Sequence, residues 1–427
     1  MRATAPSRPQ LHYAWVITGV TCLALLAVAG VRSSFGVFIQ PLEQEFGWDR
    51  AAISVTAVLS MLLYGALGPL AGRLADRHGP RWVLAASVLL AGAGALASAG
   101  VSQLWQFHVT YGLLTSIGSG GAAMVTAAAM TSRWFAAHRA LVMGLAGAGV
   151  SAGQLVFLPL AARLEIAHGW RASFLVMGAI LVALVFPAIV FLLRDDPKEL
   201  GLTPYGGPEA GGGAAFTGPK ETTLAEALRH REFWLLLGSF AICGYTSTGL
   251  IGVHLIPHAV EHGIPKMAAS SAMGLMGAMN VIGTTASGYI ADRWGRRIPL
   301  AGYYFLRGLS LFLLLGVSGP PSLHVFAILF GLNYISTVPP TSMLTADLFG
   351  RRSVGTLFGW IFFSHQVGAA LASYVGGAVH DRTGGYDPAF VSAGVLGILA
   401  AAMVLAIRDR PPAPAASAPA TAVGEAG

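Results

Sequence analysis

The sequence predicts an all-α membrane protein with twelve transmembrane helices, arranged as two six-helix halves around a central cavity. Three observations predict this fold. The 427 residues are 55% hydrophobic and only 11% charged, whereas soluble domains carry about 25% charged residues. The apolar residues form blocks of about 18–25 residues, the length that a helix needs to cross a hydrocarbon core of about 30 Å. One charged motif also occurs twice, at matching places in the two halves of the chain.

The apolar blocks give the predicted spans. Almost every block must be helical, because lipid offers no hydrogen-bond partner to a backbone amide. In the first half the spans are expected near residues 14–39, 52–72, 82–100, 105–130, 139–161 and 171–193. In the second half they are expected near residues 232–257, 267–290, 299–317, 323–346, 354–378 and 388–407.

These spans divide the chain into segments. Residues 1–193 and 232–408 are predicted to form the two halves, and residues 194–231 a Gly/Pro-rich cytoplasmic linker. The end of the linker, TTLAEALRHREFW, predicts a short amphipathic lead into the seventh span. The Pro/Ala-rich tail, residues 409–427, is predicted to be disordered.

The distribution of basic residues predicts the orientation. With the N-terminus inside, the cytoplasmic segments hold 19 of the 26 Lys and Arg, and the outer turns hold five. This asymmetry places both termini in the cytoplasm, as expected for a multi-pass protein of a bacterial inner membrane. The basic residues lie in short turns without an aromatic-rich patch, which argues against nucleic acid as a partner.

The repeated motif is GRLADRHGPR at 72–81 and GYIADRWGRR at 288–297, and each copy follows the second span of its half. Two six-span units that run in the same direction imply a parallel repeat about an axis along the membrane normal. The positions that recur between the copies are the candidate gating residues. They are Gly72, Asp76, Arg77, Gly79, Arg81, Gly288, Asp292, Arg293, Gly295 and Arg297.

Both copies resemble the cytoplasmic signature of the major facilitator superfamily. The resemblance implies that the acidic residue and its basic neighbours latch an inner gate; the alternative is a charged turn that only orients the helices. The stretches GVRSSFGVFIQPLEQEFGWDRAAIS (30–54), SRWFAAHRALVMGLAGAGVSAGQLVFLPL (132–160) and GWRASF (169–174) resemble, within the superfamily, the monocarboxylate and oxalate–formate exchange branch. That resemblance implies a carrier of small organic anions.

Few ionisable side chains fall within the predicted spans, and none of those near the membrane centre is acidic. Arg32 in span 1 is a candidate to hold a carboxylate, because a guanidinium offers two parallel donors; the alternative is an arginine that snorkels to the interface. His365, beside Gln366 near the middle of span 11, can donate to a substrate oxygen and change charge near neutral pH. The alternative for His365 is a hydrogen bond to a neighbouring helix. Arg307 in span 9 is expected to pair with a backbone carbonyl or a lipid phosphate.

The branch resemblance adds three candidate ligand contacts, His254 in span 7, Asn280 in span 8 and Tyr334 in span 10. For each, the alternative is an interhelical hydrogen bond worth about 0.6 kcal/mol. The chain departs from the branch one helical turn after Asn280, where related carriers have an arginine and this chain has Thr284. The main anion-binding group is therefore absent or has moved, with Arg32 the candidate across the cavity. A larger, more apolar acid than lactate or oxalate becomes plausible.

These features together predict a secondary transporter of a small organic anion, of the monocarboxylate type, and not an enzyme. Because the chain has no GxxxxGK[ST] loop, the energy must come from gradients, by proton symport, exchange or facilitated diffusion, with the two halves rocking to give alternating access. Proton coupling would run through His365, His254 or the substrate. The expected partners are a small carboxylate, membrane lipid and protons, with no cofactor, and the chain is expected to function as a monomer. The alternative function is an exporter of amphipathic neutral or anionic compounds.

Overall fold

The computed structural model describes residues 12–207 and 221–408. Within these ranges the chain is helical almost throughout and contains no β-strand, which confirms the predicted fold class. The predicted disordered tail, residues 409–427, lies outside the described residues.

Twelve helices, α1 to α12, correspond to the twelve predicted spans. In the first half they are α1 (Ala14–Phe46), α2 (Arg50–His78), α3 (Pro80–Ser98), α4 (Leu104–Trp134), α5 (139–168) and α6 (170–192). In the second half they are α7 (Arg231–Gly249 and Ile251–Glu261), α8 (Lys266–Trp294), α9 (Arg297–Gly316), α10 (Pro320–Phe349), α11 (Val354–Thr383) and α12 (Asp387–Leu405). The lead into α7 is a short helix at Leu224–Ala227, capped by the Thr223 side chain.

Nine helical segments of the described chain are long and apolar enough to cross a membrane, and the bent pair that forms α7 makes ten. Arg139–Leu192 counts as one segment of 54 residues, which as a straight helix would be about 80 Å long. It is divided into α5 and α6 at Gly169, whose φ of +83° is a conformation that favours glycine. Helix α8 is the remaining span; its 29 residues include many Gly, Ser and Thr, which lower its hydropathy.

The outer surface of the helix bundle is apolar, as a membrane requires. Phe191 on α6 is 71% exposed, and Ile298 and Leu306 on α9 are similarly uncovered. Soluble proteins rarely expose contiguous apolar surface of this kind. Inside the first half, Phe38 of α1 packs against Phe174 of α6 with ring centroids 4.1 Å apart, and both rings are fully buried.

Helix α10 is broken at its centre, between Pro320–Asn333 and Val338–Phe349. Pro339 and Pro340 explain the break, because neither has an N–H to donate to the carbonyl four residues earlier. The hydroxyl of Ser287 on α8 donates instead to the Ser336 carbonyl. A hydroxyl of a neighbouring helix thus satisfies a carbonyl that the proline leaves free.

Arg307 of α9 satisfies two more carbonyls at this break. Its guanidinium donates to the carbonyls of Asn333 and Tyr334, the latter at 2.8 Å, and to the Cys243 sulfur at 2.8 Å. The Arg307 side chain is fully buried. Of the two partners expected from the sequence, the backbone carbonyl is therefore the one found, and Arg307 holds α9, α10 and α7 together.

We expect Arg307→Met to destabilise the protein strongly. The substitution keeps most of the side-chain volume but leaves two buried carbonyls without a donor, at a cost of about 1–3 kcal/mol each. The melting temperature of the purified protein in detergent should fall by several degrees. The matched control is Arg293→Met, because Arg293 is exposed and its loss should leave the melting temperature unchanged. Equal melting temperatures for the two variants would contradict this role of Arg307.

Candidate functional site

The two copies of the repeated motif form matching turns at one end of the helix bundle, here called the motif end. Helix α2 ends at His78 and α8 ends at Trp294. The next residues are Gly79, with φ +96°, and Gly295, with φ +82°. These conformations strain any residue with a Cβ. The turn geometry therefore explains both of these motif glycines.

Asp76 connects the two halves by capping α11. Its Oδ1 accepts from the N–H of Gly355 at 3.0 Å. Its Oδ2 accepts from the N–H and the hydroxyl of Thr356 at 2.6 and 2.7 Å. Helix α11 begins at Val354, so these amides belong to its first turn and have no partner within the helix. A carboxylate at this position also interacts favourably with the positive end of the helix dipole.

Asp292 makes the equivalent contact in the opposite direction. Its two carboxylate oxygens accept from the N–H of Ala140 at 3.1 Å and of Leu141 at 2.8 Å. Helix α5 begins at Arg139, so these are again first-turn amides. Each half therefore caps a helix of the other half, and we call the two contacts the α2–α11 latch and the α8–α5 latch.

A glycine one turn before each carboxylate permits this close approach. A Cβ added to Gly72 would overlap the carbonyl oxygen of Gly355, and one added to Gly288 would overlap the carbonyl oxygen of Ala140. Small residues let helices come into backbone contact in membranes. Gly72 and Gly288 are thus compatible with the latched arrangement, and a residue with a side chain is not.

Two arginines of the motif bind within their own half. The Arg81 side chain donates to the carbonyl of Val190 near the end of α6. The Arg297 side chain donates to the carbonyl of Ile407, just after α12, at 2.7 Å. The two contacts are equivalent by the repeat, and each fixes the motif turn to the last helix of its half.

The remaining motif arginines, Arg77 and Arg293, are exposed. Arg293 contacts the Tyr289 hydroxyl on its own helix at 3.3 Å. Within the described residues neither arginine bonds to the opposite half. A gating role for these two side chains stays a prediction.

An ionic cluster at the motif end was not predicted from the sequence. Arg139 pairs with Asp347 across the two halves at 2.7 Å, and Arg296 pairs with the same carboxylate at 3.0 Å. The Arg351 guanidinium donates to the Phe135 carbonyl of the other half. Burial, and then the nearby Arg139 charge, lower the pKa of Arg351 to about 10, so it stays protonated at neutral pH.

The halves separate toward the other end of the bundle. Within the described residues, the hydrogen bonds between the halves lie at the motif end and extend only as far as the pair Asn280–Ser151. Beyond that point, a Cβ added to Gly274 or Gly277 on α8 would meet no atom within 4 Å. The structure is therefore closed at the motif end and open at the opposite end.

Arg32 lies on α1 on the open side of the bundle. Its guanidinium carbon is 4.4 Å from the centroid of the Tyr64 ring, a cation–π distance. The residue is half-buried, and no described residue forms an ion pair with it or accepts a hydrogen bond from its guanidinium. Ring contacts connect Arg32 to the second half. The Tyr64 ring centroid is 5.8 Å from that of Phe362, and the Phe362 centroid is 5.9 Å from that of His365.

Gln366 lies where α11 crosses α2, whereas His365 packs against α7 of its own half. The Nδ1 atom of His365 is buried without a hydrogen-bond partner among the described residues, and its ring is 5.1 Å from Phe240. Gln366 packs directly on α2, since a Cβ added to Gly65 would lie 2.7 Å from the Gln366 Cβ. The structure thus brings Arg32 and Gln366 to the crossing of α2 and α11, where they contact Tyr64 and Gly65, and it places the His365 ring against α7.

Asn280 uses its amide within the protein. Its Nδ2 donates to the Ser151 hydroxyl of α5 at 2.5 Å. Its Oδ1 accepts from the Ile335 N–H at the α10 break, at 2.9 Å, and from the Thr284 hydroxyl at 3.0 Å. Only 2% of the residue is exposed. These contacts match the interhelical alternative, and a substrate contact of Asn280 stays a prediction.

Thr284, the position where related carriers are expected to have arginine, is fully buried. A Cβ added to Gly147 of α5 would lie 2.6 Å from the Thr284 methyl carbon. An arginine side chain has no room in this packing. The absence of the expected arginine is therefore consistent with the close contact of α5 and α8.

The last two candidate ligand contacts, His254 and Tyr334, lie on α7 and at the break of α10. His254 is buried, with Nε2 3.0 Å from the Ser373 carbonyl of α11 and its ring 5.0 Å from Tyr386. Tyr334 is half-buried at the α10 break, with its ring 5.8 Å from Phe330. The His254 contact matches the interhelical alternative, and substrate contacts of both residues stay predictions.

A family model of the Major Facilitator Superfamily matches residues 21–373 and 255–425 of the chain. The chain belongs to this superfamily. The resemblance noted from the repeated motif is confirmed, and the protein is a transporter rather than an enzyme.

Curated relatives are also transporters. The chain is 28% identical over 389 residues to an uncharacterized MFS-type transporter, YcxA, of Bacillus subtilis, covering 87% of this chain and 90% of the relative. It is 28% identical over 401 residues to monocarboxylate transporter 13 of Rattus norvegicus, covering 93% of this chain and 89% of the relative.

Solved structures share the fold. The E. coli fucose symporter FucP, solved in the outward conformation, matches with a TM-score of 0.69 at 15% identity, covering 92% of this chain and 99% of that chain. The proton:xylose symporter XylE matches with a TM-score of 0.65 at 16% identity, covering 92% and 95%. These likenesses confirm the twelve-helix fold.

We expect Gly72→Ala to open both latches. The added methyl group collides with the Gly355 carbonyl, and the halves close as units, so the α8–α5 latch should loosen as well. Hydrogen–deuterium exchange should therefore increase at the amides of 354–360 and also at those of 139–145. The control is Gly277→Ala, where the added methyl group meets no atom within 4 Å. An increase confined to 354–360 would contradict the coupling of the two latches.

Proposed function

We propose that this transporter carries a small organic anion of the monocarboxylate type and moves it by rocker-switch alternating access. The observation that carries the proposal is that the Arg32 guanidinium lies half-buried without a hydrogen-bond acceptor in the described part of the chain. A half-buried guanidinium within a membrane span costs about 2.5–3.5 kcal/mol on insertion scales. Arg32 has an aromatic ring beside it and no acceptor among the described residues. A bound carboxylate supplies that acceptor in a bidentate geometry.

The position of the acidic residues supports an anionic substrate. Asp76, Asp292 and Asp347 lie at the motif end, where peptide amides or arginines hold them. Glu45 pairs with Arg171 near the opposite end. No carboxylate of the described chain lies at the level of Arg32 to attract a cationic substrate. At the level of Arg32, an anion therefore meets a positive group and no carboxylate of the described chain.

The two latches support the transport mechanism. We propose that the motif end faces the cytoplasm, as the distribution of Lys and Arg predicts, and that both termini lie there, in a bacterial inner membrane. The structure then corresponds to an outward-open state. Rocking the halves about the crossing at Asn280 and Ser151 would break both latches and open the cavity to the cytoplasm.

A gradient must supply the energy for accumulation. For proton coupling we propose His365, whose buried Nδ1 has no hydrogen-bond partner among the described residues, with His254 or the substrate itself as alternative proton carriers. Histidine is suited to this role because its ordinary pKa is close to neutral pH. Nothing in this mechanism requires a second copy of the chain, so we propose that a monomer carries it out.

The proposal predicts that carboxylates stabilise the purified protein and that Arg32→Gln abolishes the effect. A thermal-shift screen over mono- and dicarboxylates, cationic drugs and neutral amphiphiles should identify a class of acid that raises the melting temperature. Loss of a charge-assisted hydrogen bond costs about 1.5–3 kcal/mol, so Arg32→Gln should bind that acid at least about tenfold more weakly. Arg32→Lys should bind at an intermediate level, because it keeps the charge and loses the bidentate geometry.

The control is Arg163→Gln, because Arg163 is an exposed arginine of α5 and its variant should bind as the wild type does. The ligand-free melting temperature of Arg32→Gln should match that of the wild type, which separates loss of binding from unfolding. Stabilisation by neutral amphiphiles or cations alone, with Arg32→Gln responding equally, would refute the carboxylate proposal and favour an exporter.

A further inference from the structure

Three side chains that can hold a metal ion meet at the end of the bundle opposite the motif end. His258 and His262 lie on the outer segment of α7, and Asp387 is the first residue of α12. One candidate ligand atom from each lies within 4.8 Å of the other two. The two histidines are four residues apart, so they share one face of the helix.

Backbone carbonyls fix the tautomers of both histidines. Nε2 of His258 lies 3.3 Å from the Leu314 carbonyl, and Nδ1 of His262 lies 2.9 Å from the His258 carbonyl. A carbonyl only accepts, so each of these nitrogens carries the proton. The lone pairs therefore remain on Nδ1 of His258 and Nε2 of His262. Ligating histidines in metal sites are oriented by the same kind of outer hydrogen bond.

His258 provides a second, independent indication. The residue is fully buried, and its Nδ1 has no hydrogen-bond partner among the described residues. Leaving a buried polar atom without a partner costs about 1–3 kcal/mol. A cation at this place would satisfy the atom. The neighbouring Glu261 is already occupied, because it pairs with His380 at 2.9 Å.

We propose that His258, His262 and Asp387 bind one Zn²⁺ ion, with water as the fourth ligand. Two imidazoles and one carboxylate form a donor set that zinc accepts in tetrahedral geometry. Bonds of 2.0–2.1 Å place tetrahedral ligand atoms about 3.3 Å apart. The side chains of His262 and Asp387 are exposed, so rotation of these two can close the remaining distance around the buried His258.

The ion would fix the outer part of α7. Helix α7 is bent by 41° between Arg231–Gly249 and Ile251–Glu261, so its outer segment is not aligned with the rest of the helix. A zinc ion bound between this segment and the start of α12 links two helices of the same half. The site is separate from Arg32, and neither proposal depends on the other.

The test uses the full chain, purified with a cleavable tag that contains no histidines, and zinc alone as the ligand. Competition with a chromogenic zinc indicator should give one bound Zn²⁺ per chain. ZnCl₂ should raise the melting temperature, and EDTA should reverse this increase. Mg²⁺ and Ca²⁺ should not replace it, because they prefer oxygen ligands. Absence of stoichiometric zinc binding to the wild type would overturn the proposal.

The variants are made at the exposed ligands, so that the packing around His258 stays intact. His262→Ala and Asp387→Asn should each weaken zinc binding at least about tenfold, since loss of even an outer partner of a metal ligand costs about 10- to 100-fold. Their zinc-free melting temperatures should equal that of the wild type. The matched control is His168→Ala, at an exposed histidine that ends α5; this variant should bind zinc normally. Unchanged affinity in both ligand variants would refute the site.

Discussion

The rest of the structure depends on one interaction, a carboxylate of one half that accepts the first-turn amides of a helix in the other half. The chain makes it twice, with Asp76 on α11 and with Asp292 on α5. The geometry of this contact also determines which residue types fit at two neighbouring positions of the motif. A glycine one turn earlier allows backbone contact, and a glycine after the helix allows the positive φ of the turn. The motif thus occurs twice in the sequence because the helix cap occurs twice in the fold, once from each half.

This constraint gives the transporter two ends with different properties. Charges, peptide amides and carbonyls hold the motif end closed, whereas beyond the pair Asn280–Ser151 the described chain has no hydrogen bond between the halves. At the crossing of α2 and α11, Arg32 contributes a positive group from the first half and Gln366 contributes a polar group from the second, while His365 packs against α7. The latch contacts are hydrogen bonds and ion pairs, and buried apolar residues of both halves, among them Met143 and Leu344, belong to one hydrophobic cluster beside them.

The sequence was sufficient to predict the twelve spans and the repeated motif, because hydropathy and internal similarity can be read from the sequence alone. It did not predict which atoms the motif binds. The partners of Asp76 are nearly 280 residues away, and nothing in the motif indicates that Arg81 and Arg297 bind within their own halves. Arg307 was correctly expected to pair with a carbonyl as one of two alternatives, but the break of α10 that exposes those carbonyls could be located only from the structure. Carbonyls and amides carry no sequence signal, so contacts to them escape sequence reasoning.

The measurement that tests the central claim most directly is the distance between spin labels on α2 and labels on α11 or in the turn just before it, at both ends of the bundle. Labels at Arg73 and Arg352 report on the motif end, and labels at Val58 and Tyr374 report on the opposite end; all four residues are exposed. The account predicts a short distance at the motif end of the wild type. It also predicts that Asp76→Asn combined with Asp292→Asn adds a population that is longer there and shorter at the opposite end. Unchanged distances in the double variant would show that the two carboxylates do not hold the halves together.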